Sequence, residues 1–408
     1  MEQILSQLNQ KILTTEAQRR QLLQQMREDL DAQKMQLTHF IVSDVKKTQD
    51  EAQLEVEKSI TAIDYVLQCD WQKAIKQFLN LPPQFECEFA PYGTILAIMP
   101  WNFPMWQLFR MLPWNLLIGN SVLHKNSVYT PSITKAVTQI VQKFFPNQFY
   151  SFYLPDEEVE ELIAHPLIHG VTLTGSTRAG RRVAAQAGAH LKKCVLELGG
   201  SDAFLVAPQA EVTKVVTQGI ASRLINWGQS CIAAKRFIVH QRIFNDFVES
   251  LKKNLSTIAS RNFVSVEAEE RLRKQLHRAL AEGAKVLWPV GEERWPAILI
   301  SRGVEPFFFE EEFFGPVFIL VSYDTLDEAI TIANRNQFGL GASAWGYSLE
   351  EQNELQKRLE VSLLFFDDVV RSRPDVPFAG TKNSGWGWEM GILGFLEFTH
   401  LRIIKKSS

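Results

Sequence analysis

Short apolar runs separated by helix-like stretches constrain the fold of this chain more than any other feature. The first run, Gly93–Met99, is nearly all apolar, and a loop bracketed by Pro100 and Pro104 follows it. Strands without polar alternation are typical of parallel sheets, whose two faces are both buried. Similar runs follow at Ser121–Leu123, Gly170–Leu173 and Cys194–Leu198, with helix-like segments such as Ser132–Phe144 between them. This order predicts an α/β sheet with its ligand at the carboxyl ends of the strands.

A second region of the same kind follows, and a length of 408 residues allows two or three domains. Its predicted strands and helices are Ala203–Val206, the helical Val212–Ile225, Phe237–His240 and a charged helix near Glu267–Ala281. Further strands are predicted near the end of the chain, at Phe318–Val321, Ser362–Phe366 and Thr399–Ile404.

The first 80 residues contain no glycine and no proline, and they are rich in good helix formers. Apolar residues recur there at helical spacing, which predicts two or three amphipathic helices that end before Pro82-Pro83. A free coiled-coil arm that docks a partner is the alternative. The apolar residues in question are Ile4, Leu8, Ile12, Leu22, Met26 and Leu30.

Composition excludes several classes of protein. A net charge of −3, with 46% hydrophobic and 22% charged residues, excludes bulk disorder and disfavours nucleic acid as a partner. Four scattered cysteines without a CxxC pair predict neither a disulfide framework nor a metal site. We see no secretory signal and no apolar run of about 18 residues, so we expect a cytoplasmic protein without a membrane partner.

Cys231 is a candidate nucleophile because small residues around it allow a ligand to approach closely. Glu197 ends an apolar run beside two glycines, which predicts a partly buried carboxyl with a raised pKa, suited to act as a general base. The amide of Asn102 could donate to an oxyanion. Taken singly, each residue has a structural alternative. Cys231 would be a small buried hydrophobe, Glu197 a solvated acid at a helix or strand end, and Asn102 a turn residue.

A phosphate-binding turn is predicted at Gly175-Ser176, between a short apolar strand and the helix-like Arg181–Ala189. Backbone N–H groups at a helix N-terminus suit phosphate, although this turn is not a G-x-G-x-x-G sequence.

Six motifs in order resemble the aldehyde dehydrogenase superfamily, over the chain from about Arg20 onward. Within it the chain is most similar to bacterial succinate-semialdehyde dehydrogenases. The motifs are Pro100-Trp-Asn-Phe-Pro104, Thr174-Gly-Ser-Thr-x-x-Gly180, Glu197-Leu-Gly-Gly200, Gly228-Gln-x-Cys231, Glu312-Phe-Phe-Gly-Pro-Val317 and Pro377-Phe-x-Gly-x-Lys-x-Ser-Gly-x-Gly-x-Glu389.

The resemblance implies NAD(P)-dependent oxidation of an aldehyde to the acid through a thiohemiacetal and a thioester. Cys231 is then the nucleophile, Asn102 and the Cys231 N–H stabilise the oxyanion, and Glu197 activates water. The implied NAD or NADP site comprises Pro100, Trp101, Lys125, Gly175, Ser176, Gly180, Leu198, Gly199, Glu312 and Phe314.

The resemblance places Arg110 where related enzymes hold a substrate carboxylate, with Arg223 as a candidate helper. Trp106 and Trp227 would narrow the aldehyde tunnel. We therefore predict short carboxyl-bearing aldehydes as substrates. The alternative for Arg110 is a buried helix arginine paired with a local acid.

The implied fold has a Rossmann-type cofactor domain (1–72 and 92–199), an α/β catalytic domain (200–398) and oligomerisation strands (73–91 and 399–408). A homodimer or homotetramer would follow. Val128 stands where NAD-preferring relatives carry an acid, which leaves NADP open. Compared with the family, we expect the usual first strands to be absent before the helices, and the 81 positions from Cys231 to Glu312 are fewer than is usual. A degenerate, non-catalytic nucleotide or partner binder is therefore the alternative function.

Overall fold

The computed structural model describes residues 4, 5, 8, 14–155, 158–289 and 294–406. Ile12 of the predicted first helix lies outside these ranges. The helices are α1 Glu16–Ala32, α2 Lys34–Val45, α3 Gln49–Gln68, α4 Trp71–Leu79, α5 Trp106–Phe109, α6 Leu112–Ile118, α7 Pro131–Phe144, α8 Val159–Ala164, α9 Thr177–Ala189, α10 Val212–Leu224, α11 Phe244–Leu255, α12 Val266–Ala281, α13 Pro306–Glu310, α14 Leu326–Asn334, α15 Leu349–Arg358 and α16 Gly391–Glu397.

The strands are β1 Phe85–Pro91, β2 Thr94–Ile98, β3 Ser121–Lys125, β4 Phe149–Phe152, β5 Gly170–Thr174, β6 Lys193–Glu197, β7 Asp202–Val206, β8 Ala234–His240, β9 Lys285–Trp288, β10 Ala297–Ile300, β11 Val317–Tyr323, β12 Phe338–Gly339, β13 Gly341–Trp345, β14 Leu363–Phe366, β15 Thr381–Lys382, β16 Gly385–Trp386 and β17 Thr399–Lys405.

The chain divides into two compact units. The first unit contains the chain up to Glu197, Ser372–Phe378, and the chain from Trp386 onward. The second unit contains Leu198–Arg371 and Ala379–Gly385. The assignment of cofactor and catalytic domains to ranges of the chain stays a prediction.

The sheet of the first unit is parallel in its central strands, in the order β6-β5-β2-β3-β4 with β16 beside β6. β2 and β5 are buried along their whole length, as their apolar sequences require. The chain runs outward from β2 through β3 to β4, then returns to build β5 and β6 on the other side. Such a reversal of strand order creates a crevice at the carboxyl ends of the strands.

The second unit contains a seven-stranded sheet in the order β14-β13-β7-β8-β11-β10-β9. Every pairing in it is parallel except that of β9 with β10. The two parallel sheets confirm the α/β fold class. The sequence did not predict β13, because its Gly-Ala-Ser-Ala-Trp segment lacks the β-branched residues that mark a strand.

Four helices, rather than two or three, occupy residues 16–79. The extra breaks are local. Lys46 ends α2 in a left-handed conformation with φ of 62°, and Thr48 begins α3 with a capping box to Glu51. Leu23, Met26 and Leu30 of α1 are fully buried, and α1 packs on α3, α6 and α7. The described part of this region is therefore not a free coiled-coil arm.

A separate two-stranded antiparallel ribbon joins β1 to β17, with Phe85 opposite Lys405 and Pro91 opposite Thr399. Residues 73–79 of the segment predicted as a strand are helical, because Asp70 caps α4 and its apolar side chains lie on one face. None of the helices in the described part of the chain is long and apolar enough to cross a membrane.

Candidate active site

A cleft that is open to solvent lies at the carboxyl edge of the first unit's sheet. Ile98 ends β2 and Leu173 lies near the end of β5, so the cleft sits at the point where the strand order reverses. Its lining residues are Ile98, Val159, Glu160, Ile163, Leu173, Ala179, Arg182 and Val183. An apolar cleft at this position suits the flat ring of a nucleotide.

Several predicted cofactor residues lie next to residues of the cleft lining, either along the chain or across the sheet. Lys125 is the register partner of Ile98, one strand away from the lining. Ser176 is exposed and caps α9, its hydroxyl accepting from the Ala179 N–H at 3.2 Å. Gly175 precedes it and Gly180 is buried inside the first turns of α9. The helix N-terminus therefore opens at the cleft, where its N–H groups suit a phosphate.

Asn102 is buried in the turn after β2, and Pro100 and Trp101 beside it are half-buried. A pair of buried charges from the N-terminal helical region holds the segment that follows. Glu55 accepts the N–H groups of Met105 and Trp106 at 2.9 and 3.1 Å and forms an ion pair with Lys47. The Lys47 Nζ lies 3.7 Å from the centre of the Phe103 ring. The N-terminal helical region thus supports the Asn102 loop.

We expect Glu55→Gln to lower the free energy of unfolding by about 3 kcal/mol, because Lys47 would remain buried without its counter-ion. Urea denaturation measures the loss. Glu57→Gln, on an exposed face of the same helix, is the matched control and should cost under about 0.5 kcal/mol. Equal costs for the two variants would contradict the role given to the pair.

Glu197 is buried at the end of β6, opposite Thr174 of β5. Neither of its carboxylate oxygens has a hydrogen-bond partner among the described residues. Burial first, and then the nearby Glu389, raise the pKa of Glu197 well above its ordinary value, while Arg110 opposes the shift. A carboxyl of this kind can take a proton from water once it is ionised.

Arg110 is buried, and its guanidinium group already has two partners in the first unit. Its Nε lies 2.7 Å from Glu389 Oε2, and its Nη2 donates to Thr174 Oγ1 at 2.9 Å. This is the alternative of a buried, paired arginine, although the acid is far along the chain rather than local. Trp106 is also buried, and its indole donates to Ser372 Oγ at 3.0 Å.

Cys231 lies in the second unit, whereas Asn102 and Glu197 lie in the first. It is half-buried and follows three consecutive residues in the left-handed region, Asn226, Trp227 and Gly228, with φ of 48°, 57° and 77°. A tryptophan rarely adopts this conformation, so the turn stores strain next to the candidate nucleophile.

We expect Gly228→Ala to lower the free energy of unfolding by about 2–4 kcal/mol. A Cβ there would lie 2.5 Å from the Gly315 backbone, in addition to the unfavourable φ. The midpoint of urea unfolding measures the loss. Gly188→Ala in α9, where a Cβ meets nothing within 4 Å, is the control and should change stability by less than about 1 kcal/mol.

Lys235 is a charged residue that the sequence reasoning did not assign to the site. It is fully buried on β8, and its Nζ donates to the carbonyl oxygens of Ser230 and Cys231 at 2.8 and 2.7 Å. Glu312 lies 3.7 Å from the same Nζ and accepts the Gly200 N–H at 3.0 Å. Burial raises the pKa of Glu312, and Lys235 offsets part of that rise.

The remaining predicted residues of the second unit have mixed surroundings. Leu198 is buried, and the carbonyl of Gly199 accepts from Ser384 Oγ at 2.7 Å. Phe314 is half-buried. Trp227 is 1% exposed, within the hydrophobic core. Arg223 is fully buried. Its guanidinium group donates hydrogen bonds to the backbone carbonyls of Val317, Phe313 and Gly315.

Comparison with known proteins identifies the family of this chain. The model of the aldehyde dehydrogenase family matches residues 9–404. The chain belongs to the aldehyde dehydrogenase family. This confirms the resemblance drawn from the six motifs, and it makes the protein an oxidoreductase that oxidises an aldehyde with NAD or NADP.

Curated relatives of this aldehyde dehydrogenase include succinate-semialdehyde dehydrogenases [NADP(+)]. The one from Deinococcus radiodurans is 35% identical over 336 residues, which is 78% of this chain and 70% of that protein. The one from Mycobacterium avium is 31% identical over 413 residues, which is 96% of this chain and 88% of that protein.

Solved structures of the family confirm the fold. Succinic semialdehyde dehydrogenase from Streptococcus pyogenes, in complex with NADP+, superposes with a TM-score of 0.92 at 28% identity and covers 100% of this chain and 95% of that one. Lactaldehyde dehydrogenase from Escherichia coli superposes with a TM-score of 0.87 at 27% identity and covers 96% of this chain and 87% of that one.

Proposed function

We propose that this aldehyde dehydrogenase oxidises a short, carboxyl-bearing aldehyde such as succinate semialdehyde, with NADP+ as the preferred cofactor. The observation that carries the chemistry is Glu197, a buried carboxyl with a raised pKa and no hydrogen-bond partner among the described residues. Once ionised, such a group is a general base for the proton of a water molecule. The names of the relatives support the substrate class and NADP+.

The residues of the first unit fit a dinucleotide. The apolar cleft suits the adenosine, and the N–H groups at the start of α9, after Gly175 and Ser176, suit the pyrophosphate. Lys125 would meet the adenine-side ribose and its 2′-phosphate. Pro100, Trp101, Gly180, Leu198, Gly199, Glu312 and Phe314 stay predicted cofactor contacts. When bound, the nicotinamide accepts the hydride that leaves the substrate carbon.

The chain's own residues perform the remaining steps. The Cys231 thiolate adds to the aldehyde carbon, and the C=O electron pair moves to oxygen, where Asn102 and the Cys231 N–H donate hydrogen bonds. After the hydride has left, a thioester joins Cys231 to the acyl group. Glu197 then removes a proton from water, which attacks the thioester and releases the acid and the thiolate.

A first experiment compares cofactors and aldehydes with the purified chain. NADP+ or NAD+ is mixed with succinate semialdehyde, butanal or hexanal, and the absorbance of reduced cofactor is followed. We expect kcat/KM for succinate semialdehyde with NADP+ to exceed every other combination at least about tenfold. Cofactor binding without turnover of any aldehyde would favour the degenerate, non-catalytic alternative instead.

The cofactor preference is tested at Val128, whose side chain is 55% exposed. Val128→Glu places a negative charge near the proposed 2′-phosphate, so we expect kcat/KM with NADP+ to fall about tenfold or more while that with NAD+ changes little. Val128→Gln has nearly the same shape without the charge and is the matched control. An equal fall with both cofactors would contradict the proposed position of the phosphate.

The role of Arg110 in substrate binding is tested by the ratio of kcat/KM for two aldehydes, because Arg110 also forms an ion pair with Glu389 and its loss would affect every substrate. Arg110→Gln should lower the turnover of all aldehydes. A carboxylate contact predicts that succinate semialdehyde loses about tenfold more kcat/KM than butanal. An unchanged ratio would show that Arg110 does not contact the substrate carboxylate.

Four predictions of the sequence stay predictions. They are the tunnel roles of Trp106 and Trp227, a homodimer or homotetramer, and a cytoplasmic location.

A further inference from the structure

Lys235 has the contacts of a residue that controls the main chain of the nucleophile rather than its thiol. It is fully buried, and two of its hydrogen bonds go to the carbonyl oxygens on either side of the Cys231 α-carbon, those of Ser230 and Cys231. A buried ammonium costs several kcal/mol to desolvate, so its retention at this place calls for a reason.

The first of these carbonyls belongs to the peptide that carries the Cys231 N–H. In a trans peptide, C=O and N–H point in opposite directions within one plane. A donor that holds the Ser230 oxygen therefore fixes the direction of the Cys231 N–H at the other end. Burial lowers the pKa of Lys235, and the nearby Glu312 and Asp202 oppose that shift. In its charged form Lys235 also polarises this peptide, which strengthens its N–H as a donor.

The second carbonyl, that of Cys231, has Lys235 and Gly200 as close neighbours. Lys235 donates to the Cys231 oxygen, and the same oxygen lies 2.6 Å from where a Cβ on Gly200 would be. The Gly200 N–H in turn binds Glu312, which faces Lys235. Lys235 thus binds the peptides on both sides of Cys231, while Glu312 binds Gly200 and faces the Lys235 ammonium.

We propose that Lys235 is a positioning residue that aims and polarises the Cys231 N–H toward the oxygen of the reacting carbonyl group. This rests on the proposed function, in which that N–H meets the oxyanion formed when the Cys231 sulfur adds to carbon. Lys235 itself touches neither substrate nor cofactor in this role.

The test compares two reactions of Cys231 that need no cofactor. In hydrolysis of p-nitrophenyl acetate, the thiolate adds to the ester carbonyl, an oxyanion forms, and p-nitrophenolate leaves. In alkylation by iodoacetamide, the thiolate displaces iodide and no oxyanion forms. We expect Lys235→Met to slow nitrophenolate release about 10- to 100-fold and to change the alkylation rate less than about threefold.

Arg236→Met is the matched control, because Arg236 is a buried cation on the same strand whose donors go to the carbonyls of Ser201, Ile332 and Ala333. It should destabilise the fold comparably but leave the ratio of the two rates near that of the parent protein. Lys235→Gln retains a donor without the charge, and it covers the case in which the methionine variant does not fold. Its ester rate should fall between those of Lys235→Met and the parent.

Equal slowing of both reactions in Lys235→Met would overturn the proposal, since Lys235 would then act on the thiolate or on folding. An unchanged ester rate, or an equal shift of the ratio in Arg236→Met, would overturn it as well. If no aldehyde is oxidised but the ester reaction still requires Cys231, the proposed function fails while this comparison still decides the role of Lys235.

Discussion

Cys231→Ala is expected to lower the rate of aldehyde oxidation at least about 10⁴-fold, because no other group would form the covalent thiohemiacetal and thioester. The side chain is small and only half-buried, so the fold and cofactor affinity should persist. Steady-state production of reduced cofactor measures the rate, and titration of cofactor binding by protein fluorescence checks the site.

Cys194→Ala is the matched control for this prediction. Cys194 is also half-buried, but it lies on β6 of the first unit, and burial raises the pKa of its thiol. A thiol that ionises less readily is a poorer nucleophile at neutral pH. The control should retain nearly full activity. Loss of activity in both variants, or in neither, would refute Cys231 as the nucleophile.

Glu197→Gln should separate the two halves of the reaction. The amide cannot accept a proton from water, so we expect hydrolysis of the thioester to slow about 10²- to 10⁴-fold. Formation of the thioester should continue, which gives a burst of about one equivalent of reduced cofactor per active chain, followed by near arrest. Stopped-flow absorbance and the mass of the acylated protein measure both effects. Glu88→Gln, an exposed acid of the same unit, should behave like the parent.

The pH dependence of Glu197 follows from its raised pKa. The base form exists above that pKa, so the hydrolysis rate of the parent enzyme should rise with pH through it. Between the ordinary carboxyl pKa and the raised one, the folded chain keeps a proton that the unfolded chain has lost. Stability therefore falls as pH rises through this window. Glu197→Gln should make both dependences weaker, and a steeper fall in stability would contradict the cause given.

Four strands of the first sheet, β2, β3, β5 and β6, could be predicted because burial on both faces leaves nearly continuous apolar runs, as in Thr94–Ile98 and Gly170–Thr174. β4 and β10 are four residues long and were not predicted, and neither was β13. β13 is built of small residues and one tryptophan, and its strand character comes from pairing with β7 and β14.

The family could be identified from motif order, since each motif joins residue types that one reaction requires at neighbouring positions. Cys231, Glu197 and Asn102 were found in this way. Glu389 ends one of the six motifs and Lys235 lies four residues after Cys231, but neither residue carried a signal of its own. A lysine and a glutamate are common at solvated surfaces, and only their burial indicates a role.

The sequence by itself determined the fold class, the family and the candidate nucleophile, base and oxyanion donor, because these depend on local periodicity and on residue type within short motifs. The tertiary structure alone decided which charges meet: Arg110 with Glu389, Glu55 with the segment after Asn102, and Lys235 with Glu312. The physical reason is that a buried charge must be paired, and its partners come from elements distant in the chain that only packing brings together.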